Sequence, residues 1–310
     1  MRIFGTLLLF ILPNFFSPIN SYLLMPHGII VVINPSKQNR SNMENKNQYA
    51  LITGATSGIG YELAKLFAKD GYNLIIVARS EEELQNIATE FEQQFGINAI
   101  AIPTDLFKPQ NSFQLYDAVK AKGIEVNVLV NDAGQGQYGK FVDTDIEKEL
   151  AIIQLNISSL VVLTKLFLKD MVARGEGKIL NLSSIASKTP GPWQSVYHGT
   201  KAFVQSFTEA VRAEVKENGI TVTALLPGVT DTDFFNKADM NDSKAVQDES
   251  KKADPADVAK DGYKALMKGD DMVVSGFKNK VQVAMGAITP DNVQAEQTYK
   301  MQEPVNETNK

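Results

Sequence analysis

The sequence predicts an α/β domain built on one doubly wound parallel sheet of about seven strands, with helices on both faces. Three observations carry that expectation. Short, continuous apolar runs recur along the chain, the pattern of strands buried on both faces. Segments with helical apolar spacing alternate with them, as they do when parallel strands are joined by crossover helices. A glycine-rich turn, Thr53-Gly54-Ala55-Thr56-Ser57-Gly58-Ile59-Gly60, joins the first regular strand to the first regular helix.

Residues 49–53 read as a buried strand. A helix is expected over 58–69, with apolar residues at 59, 63, 66 and 67, and Gly71 ends it. Residues 73–78 form the second strand. Ser80 caps a helix over 80–95, and Glu81, Glu82 and Glu83 suit the positive end of its dipole. Strands at 98–102 and 126–130 flank a helix at about 112–122. Helices at about 145–150 and on through 174 lead to a fifth strand, 178–182. A long helix over 195–217 precedes the sixth strand, 220–226. The polar stretch 230–254 has the length of a lid. A helix over 255–268 and a seventh strand, 272–275, complete the pattern, without internal repeats. The domain is thus expected over 49–285, with a polar tail at 286–310 that frays after Pro290.

Residues 1–48 differ from the rest. They contain no alanine, and an apolar run at 3–12 follows Arg2; a second, shorter run covers 28–33. A signal peptide would explain the first run, although no Ala-x-Ala-like cleavage site follows. A membrane anchor needs roughly 20 continuous apolar residues, and Pro13, Asn14, Pro18 and Asn20 interrupt the run. A third reading is an unstructured leader with the natural start at Met43, and a fourth is an extra packed element. The expectation is a cytoplasmic protein, or a membrane-associated one if residues 3–33 are retained as an anchor.

Composition excludes several classes of function. The 310 residues include no cysteine, which removes disulfides, thiolate nucleophiles and cysteine-based metal sites. Two histidines, His27 and His198, leave almost nothing for a zinc site or a Ser-His-Asp triad. No metal is expected. A net charge of −5 argues against a nucleic-acid partner.

The glycine turn lies where a dinucleotide site requires it, after a strand and before a helix. Its glycines, Gly54, Gly58 and Gly60, permit the tight turn and close approach of backbone to a pyrophosphate. Thr56, Ser57 and Ile59 bring it to the helix N-terminus, whose N–H groups and dipole favour anions. The spacing is Gly-x3-Gly-x-Gly. About twenty residues on, the second strand ends in Ala78, and Arg79 and Ser80 follow. A carboxylate there would suit the ribose of NAD; a guanidinium can pair with the extra phosphate of NADP. NADP(H) is therefore expected in preference to NAD(H).

Tyr197-His-Gly-Thr-Lys201 opens the long helix. Residues four apart share a helical face. A tyrosine has an ordinary pKa near 10, and a nearby ammonium favours the phenolate and lowers that value. Thirteen residues before the tyrosine, a strand ends in Ser183-Ser184. One of these hydroxyls can donate to a substrate carbonyl, and alternation along a strand makes the other face away. Asn131-Asp-Ala-Gly134 ends the fourth strand, on the sheet edge where such folds bind ligands. Asn156 sits inside the following helix, where asparagine is a mediocre helix former.

Taken as an ordered set, TGATSGIG, NDAG, Asn156, Ser184, YHGTK and LLPGVTDT (225–232) resemble the short-chain dehydrogenase/reductase family. The resemblance covers residues 49–275 and implies a Rossmann-type fold. It implies a tetrad of Asn156, Ser184, Tyr197 and Lys201 acting in reversible ketone or aldehyde reduction. Tyr197 would be general acid in reduction and base in oxidation. Ser184 would polarise the carbonyl, Lys201 would hold the nicotinamide ribose, and Asn156 would position a relaying water. Asp105 and Leu106 would lie near the adenine, Asn131, Ala133 and Gly134 along the cofactor, and Pro227, Gly228, Val229, Thr230 and Thr232 near the carboxamide. Asp132 departs from the family's usual second asparagine. Within the family, the chain looks most like the single-domain reductases of 3-ketoacyl and hydroxysteroid type. A silent nucleotide sensor would be free to lose Ser184, Tyr197 or Lys201, and all are present.

Gln135, Trp193, Gln194 and Phe234 are candidates to line a small-molecule substrate pocket, by position. Phe234 and Phe235 would cover an apolar substrate or pack the lid. His198 reads as a wall residue, because neighbours on a helix point about 100° apart. Helices 145–174 and 195–217 offer apolar positions for a homo-oligomer interface, as the family's helices often do.

Overall fold

A computed structural model of the chain describes residues 21–24, 30–33, 45, 47–248 and 252–305. The chain divides into two units, Met1–Arg40 and Ser41–Lys310. In the first, strands β1 (Ser21–Leu24) and β2 (Ile30–Ile33) pair antiparallel, with Ser21 opposite Ile33. The apolar run at 28–33 thus contains a strand. The run at 3–12, on which the signal and anchor readings turn, lies outside the described residues.

The second unit holds a seven-stranded sheet in which every pairing is parallel. Its strands are β3 (Tyr49–Thr53), β4 (Asn73–Ala78), β5 (Ala99–Pro103), β6 (Val126–Asn131), β7 (Gly177–Leu182), β8 (Ile220–Leu226) and β9 (Met272–Val274). The spatial order is β5-β4-β3-β6-β7-β8-β9. The order reverses between β3 and β6, and ligand crevices open at such a reversal, beyond the carboxyl ends of the strands.

Two apolar layers cover the sheet, as alternation along each strand requires. Ala50, Ile52, Leu74 and Ile76 face one way. They meet Leu63 and Phe67 of α1 (Gly58–Lys69), Leu84 and Phe91 of α2 (Glu81–Phe95), and Val258 and Leu266 of α8 (Pro255–Lys268). Leu51, Ile75, Leu129 and Ile179 face the other way. They meet Leu115 and Val119 of α3 (Asn111–Ala121), Leu163 and Phe167 of α5 (Leu160–Arg174), and Val211 and Val215 of α6 (Ser195–Val215). Burying each such large side chain contributes about 1.5–3 kcal/mol.

Local signals set the helix ends. The Ser80 hydroxyl accepts from Glu83 N, and Gly96 ends α2 in the left-handed region. The Asp254 carboxylate accepts from Ala256 N ahead of Pro255, and Gly269 closes α8. α4 (Ile146–Ile153) continues through a π-helical turn, Gln154–Ser159, into α5. Among the described residues, the run Ile146–Arg174 is the one helix long and apolar enough to cross a bilayer. Leu155, Leu163, Phe167 and Met171 are buried against the sheet, as in a core helix.

The expected fraying after Pro290 is corrected. Two helices follow β9: α9 (Phe277–Gly286) and α10 (Asp291–Gln302). A short α7 (Phe234–Lys237) lies in the lid segment. Helix α10 is polar along its length, and its order comes from tertiary contacts. The Gln302 carbonyl accepts from the Tyr138 and Ser243 hydroxyls. Ser243 bridges Pro304, Lys244 pairs with Glu303 at 2.6 Å, and the Tyr299 ring packs on Trp193.

Candidate active site

The glycine turn leaves β3 and enters α1 with Gly54 at φ +74° and Gly58 at φ +58°. A Cβ on Gly60 would come within 2.4 Å of the Gly54 carbonyl oxygen, so the turn closes only without side chains there. Ser57 makes no side-chain cap, and the first turn of α1 carries no acidic residue. The Asp132 carboxyl takes the Gly60 N–H; the other free N–H groups of the first turn and its positive dipole are left for a ligand. This end of the helix borders a cavity of about 1530 Å³, larger than the 300–1,000 Å³ typical of a single drug-sized ligand.

Most of the predicted residues meet at this cavity. Its walls include Gly54, Thr56, Ser57, Gly58 and Ile59 from the turn, and Arg79, Ser80 and Leu106 beyond the second and third strands of the sheet. Ala133, Gly134 and Gln135 follow β6 along it. Ser184, Gln194, Tyr197 and Lys201 form another wall, and Pro227, Gly228, Val229, Thr230, Thr232 and Phe234 another. Arg79 stacks on the Phe107 ring, 5.5 Å from its centroid.

Five predicted residues do not line it. Gly60 packs beneath Gly54. Asn131 turns into the sheet, where its amide donates to Thr164 Oγ1 and Asn181 Oδ1. The Asp105 carboxylate accepts from Phe107 N at 3.2 Å and ties its own loop. Asn156 sits in the π turn behind the wall. Its Nδ2 donates to the Gln135 carbonyl and Thr200 Oγ1, and its Oδ1 accepts from Gln135 N. Trp193, at φ +70°, points away and stacks between Tyr138 and Tyr299.

The two serines separate cleanly. Ser183 donates to the Lys201 carbonyl at 2.9 Å and is consumed in packing β7 against α6. Ser184 Oγ accepts from Ala186 N at 3.1 Å, donates to the Pro227 carbonyl at 3.3 Å, and stands beside the Tyr197 phenol on the same cavity wall. Burial pushes the Tyr197 phenol up to about 12, an effect eased by Ser184. The expected depression by Lys201 is not part of this balance. Lys201 Nζ donates to the Leu182 carbonyl at 2.8 Å and lies 5.8 Å from the tyrosine ring centroid. Burial also pushes Lys201 down to about 8, while Asp132 favours its ammonium.

Asp132 belongs to the site although sequence reasoning gave it no role. It lines the cavity beneath the glycine turn, and burial pushes its carboxyl up to about 7 against the pull of Lys201 and the Gly60 N–H. Its unusual place in the NDAG stretch was the available signal. Thr53 was also missed. Its buried hydroxyl accepts from the N–H groups of Asp132 and Ala133 and donates to the Val130 carbonyl, which fixes the loop. His198 lines the wall, as expected. Its Nδ1 bonds the Thr189 carbonyl at 2.9 Å, its Nε2 lies 3.2 Å from Gln302 Nε2, and burial holds its pKa down.

A glycine turn, a Tyr and Lys four apart and a hydrogen-bonded Ser share one cavity, and the pattern of the short chain dehydrogenase family matches residues 48–243. The chain belongs to the short-chain dehydrogenase family. Among curated relatives, very-long-chain 3-oxoacyl-CoA reductase of Anas platyrhynchos is 37% identical over 185 residues, 58% of this chain and 58% of that one. The 17-beta-hydroxysteroid dehydrogenase type 3 of Mus musculus is 35% identical over 192 residues, 60% and 61% of the two chains. Both matches span less than two thirds of the relative's length. Dehydrogenase/reductase SDR family member 7B of Danio rerio is 31% identical over 274 residues, 85% of this chain and 88% of that one. A solved short-chain dehydrogenase from Sphingobium yanoikuyae in complex with NADPH superposes with a TM-score of 0.70 at 27% identity, over 77% of this chain and 93% of that one. The short-chain dehydrogenase thus resembles, over part of their length, relatives named for 3-oxoacyl-CoA reduction and 17-beta-hydroxysteroid dehydrogenation.

Proposed function

We propose that this short-chain dehydrogenase interconverts a ketone or aldehyde and its alcohol with NADP(H) in preference to NAD(H). The observation that carries the reading is that Tyr197, Ser184 and Lys201 line one cavity with the glycine turn at the N-terminus of α1. That cavity fits a dinucleotide by its glycine floor, its uncapped helix end and Arg79 at the end of β4. Bound there, the nicotinamide would supply or take the hydride. The glycine turn would hold its pyrophosphate, Arg79 and Ser80 the 2′-phosphate, and Lys201 the nicotinamide ribose.

In reduction, the Tyr197 O–H donates its proton to the substrate oxygen, and Ser184 Oγ hydrogen-bonds the same oxygen. In oxidation Tyr197 takes the proton back. Burial keeps the Tyr197 phenol protonated, the form that donates in reduction. Asn156 holds the Gln135 backbone and Thr200 in place, and through them the wall beside Lys201. Phe234 packs 5.1 Å from the Tyr197 ring and gives the substrate side an apolar face. The exposed Ile146, Leu150, Ile153 and Phe203 side chains fit a subunit interface, for which sedimentation velocity is the check.

Titrating the full-length protein with NADPH and NADH by nicotinamide fluorescence, then adding a panel of ketones and aldehydes, tests the reading. NADPH is expected to bind more tightly and to reduce at least one carbonyl. Tyr197→Phe is expected to lower kcat by two orders of magnitude or more, roughly the range of general acid catalysis, with NADPH binding within about twofold. A Tyr197→Phe enzyme that turns over as fast as its parent overturns the role of the tyrosine, and tighter binding of NADH overturns that of Arg79.

A further inference from the structure

Helix α9 has no buried side chain. Phe277 is 80% exposed, Val281 47%, Met285 59%, and Ile288, just past the helix end, 79%. Successive steps of four, four and three residues put them on one face. The helix is attached by other groups. Val283 packs on Ala224, Leu226 and Val274, and Asn279 Nδ2 donates to the Ser275 carbonyl. Scattered exposed apolar residues need no explanation, but a continuous stripe does.

Charge narrows the occupant. The chain carries a net charge of −5, yet no acidic residue lies between Asp271 and Asp291, while Lys278 and Lys280 stand there. Among the described residues neither lysine has an ion-pair partner. Two copies packed through this stripe would set these lysines against their own images, with no carboxylate in the segment to neutralise them. An apolar face flanked by lysines fits instead the boundary between headgroups and acyl chains. Phe277 and Lys278 also line the rim of the site cavity.

We propose that α9 docks the catalytic unit onto a lipid bilayer bearing anionic headgroups. The helix lies in the plane of the interface. Phe277, Val281, Met285 and Ile288 enter the acyl boundary, Lys278 and Lys280 meet the headgroups, and the cavity rim faces the lipid. Docking requires nothing of Tyr197, so a Tyr197→Phe protein binds as its parent does, and the failure of one proposal leaves the other standing.

The absence of cysteine makes the test direct, because Met285→Cys in the full-length chain is a single labelling site. An environment-sensitive fluorophore there is expected to brighten severalfold and shift to the blue with phosphatidylcholine vesicles containing phosphatidylserine. Lipid brominated in its acyl chains should quench it. The same label on exposed Gln94→Cys, on α2, should stay unchanged. Reversing both lysines (Lys278→Glu, Lys280→Glu) should raise the lipid concentration for half response by about tenfold or more. A silent label at position 285 overturns the proposal, even if vesicles capture the chain through its N-terminal unit. A label that responds to protein concentration without lipid also overturns it and assigns the face to a second copy.

Discussion

Asp132 and Lys201 both line the cavity and favour each other's charged form, while burial moves their proton affinities toward one another. Asp132 rises from 3.8 to about 7. Between those values the folded chain holds a proton that the unfolded chain has lost, so stability falls as pH rises through that window and levels off above it. Lys201 falls from 10.5 to about 8. Between about 8 and 10.5 the unfolded chain holds the extra proton, so stability rises with pH there. Asp132→Asn should remove the first slope and move the start of the second below pH 8, because Lys201 loses the charge that favours its ammonium. Thermal denaturation from about pH 4 to 10 for both proteins checks this; identical profiles would remove Asp132 from the balance. The residues sequence reasoning placed at the cavity were those within a few positions of a local pattern. Thr53 and Asp132 acquire their parts by meeting each other across two strands, which no spacing in the chain expresses.

At the scale of the element, helix positions and ends follow local chemistry. Ser80, Asp254 and the left-handed Gly96 and Gly269 stand at the ends where capping rules put them. The π turn at Gln154–Ser159 was not legible. An extra residue in a helical turn leaves apolar periodicity almost unchanged, yet here it carries Asn156 to the Gln135 backbone and Thr200. Phe67 of α1 is fully buried against the sheet and meets Tyr72 and Tyr263 edge-on, with centroids 5.3 and 4.9 Å away. Phe67→Ala should cost about 3–5 kcal/mol through lost burial and the cavity it leaves. Chemical denaturation measures that loss, and a cost below about 1 kcal/mol would show that the layer collapses to fill the space.

For the whole molecule, the C-terminal segment changes the picture of the site. Thr298, Met301 and Gln302 line the cavity, Gln302 reaches His198, and Lys244 N of the lid bonds the Glu303 carbonyl. Helix α10 therefore completes the cavity wall beside His198, whereas the glycine turn and Arg79 lie wholly upstream of it. Deleting residues 291–310 should raise KM for an apolar carbonyl substrate about tenfold or more, with the Kd for NADPH unchanged, a loss of binding confined to the substrate. Steady-state kinetics and fluorescence titration separate the two. An unchanged KM would mean that the lid holds its place without the tail.

The amino-acid sequence by itself determined the alternation of strands and helices, the parallel sheet, the glycine turn and the Tyr197–Lys201 spacing. Each is written in residues that are neighbours along the chain or along one face of an element, so periodicity and capping chemistry express it. Tertiary structure alone decided that Ser184 and not Ser183 meets the tyrosine, that Trp193 turns out of the pocket, and that a polar tail becomes a wall. In each case the energy comes from groups far apart in sequence: the Lys201 carbonyl that takes up Ser183, the rings of Tyr138 and Tyr299 that hold Trp193, and the hydroxyls of Tyr138 and Ser243 that anchor Gln302. Those partners become neighbours only after the sheet has formed.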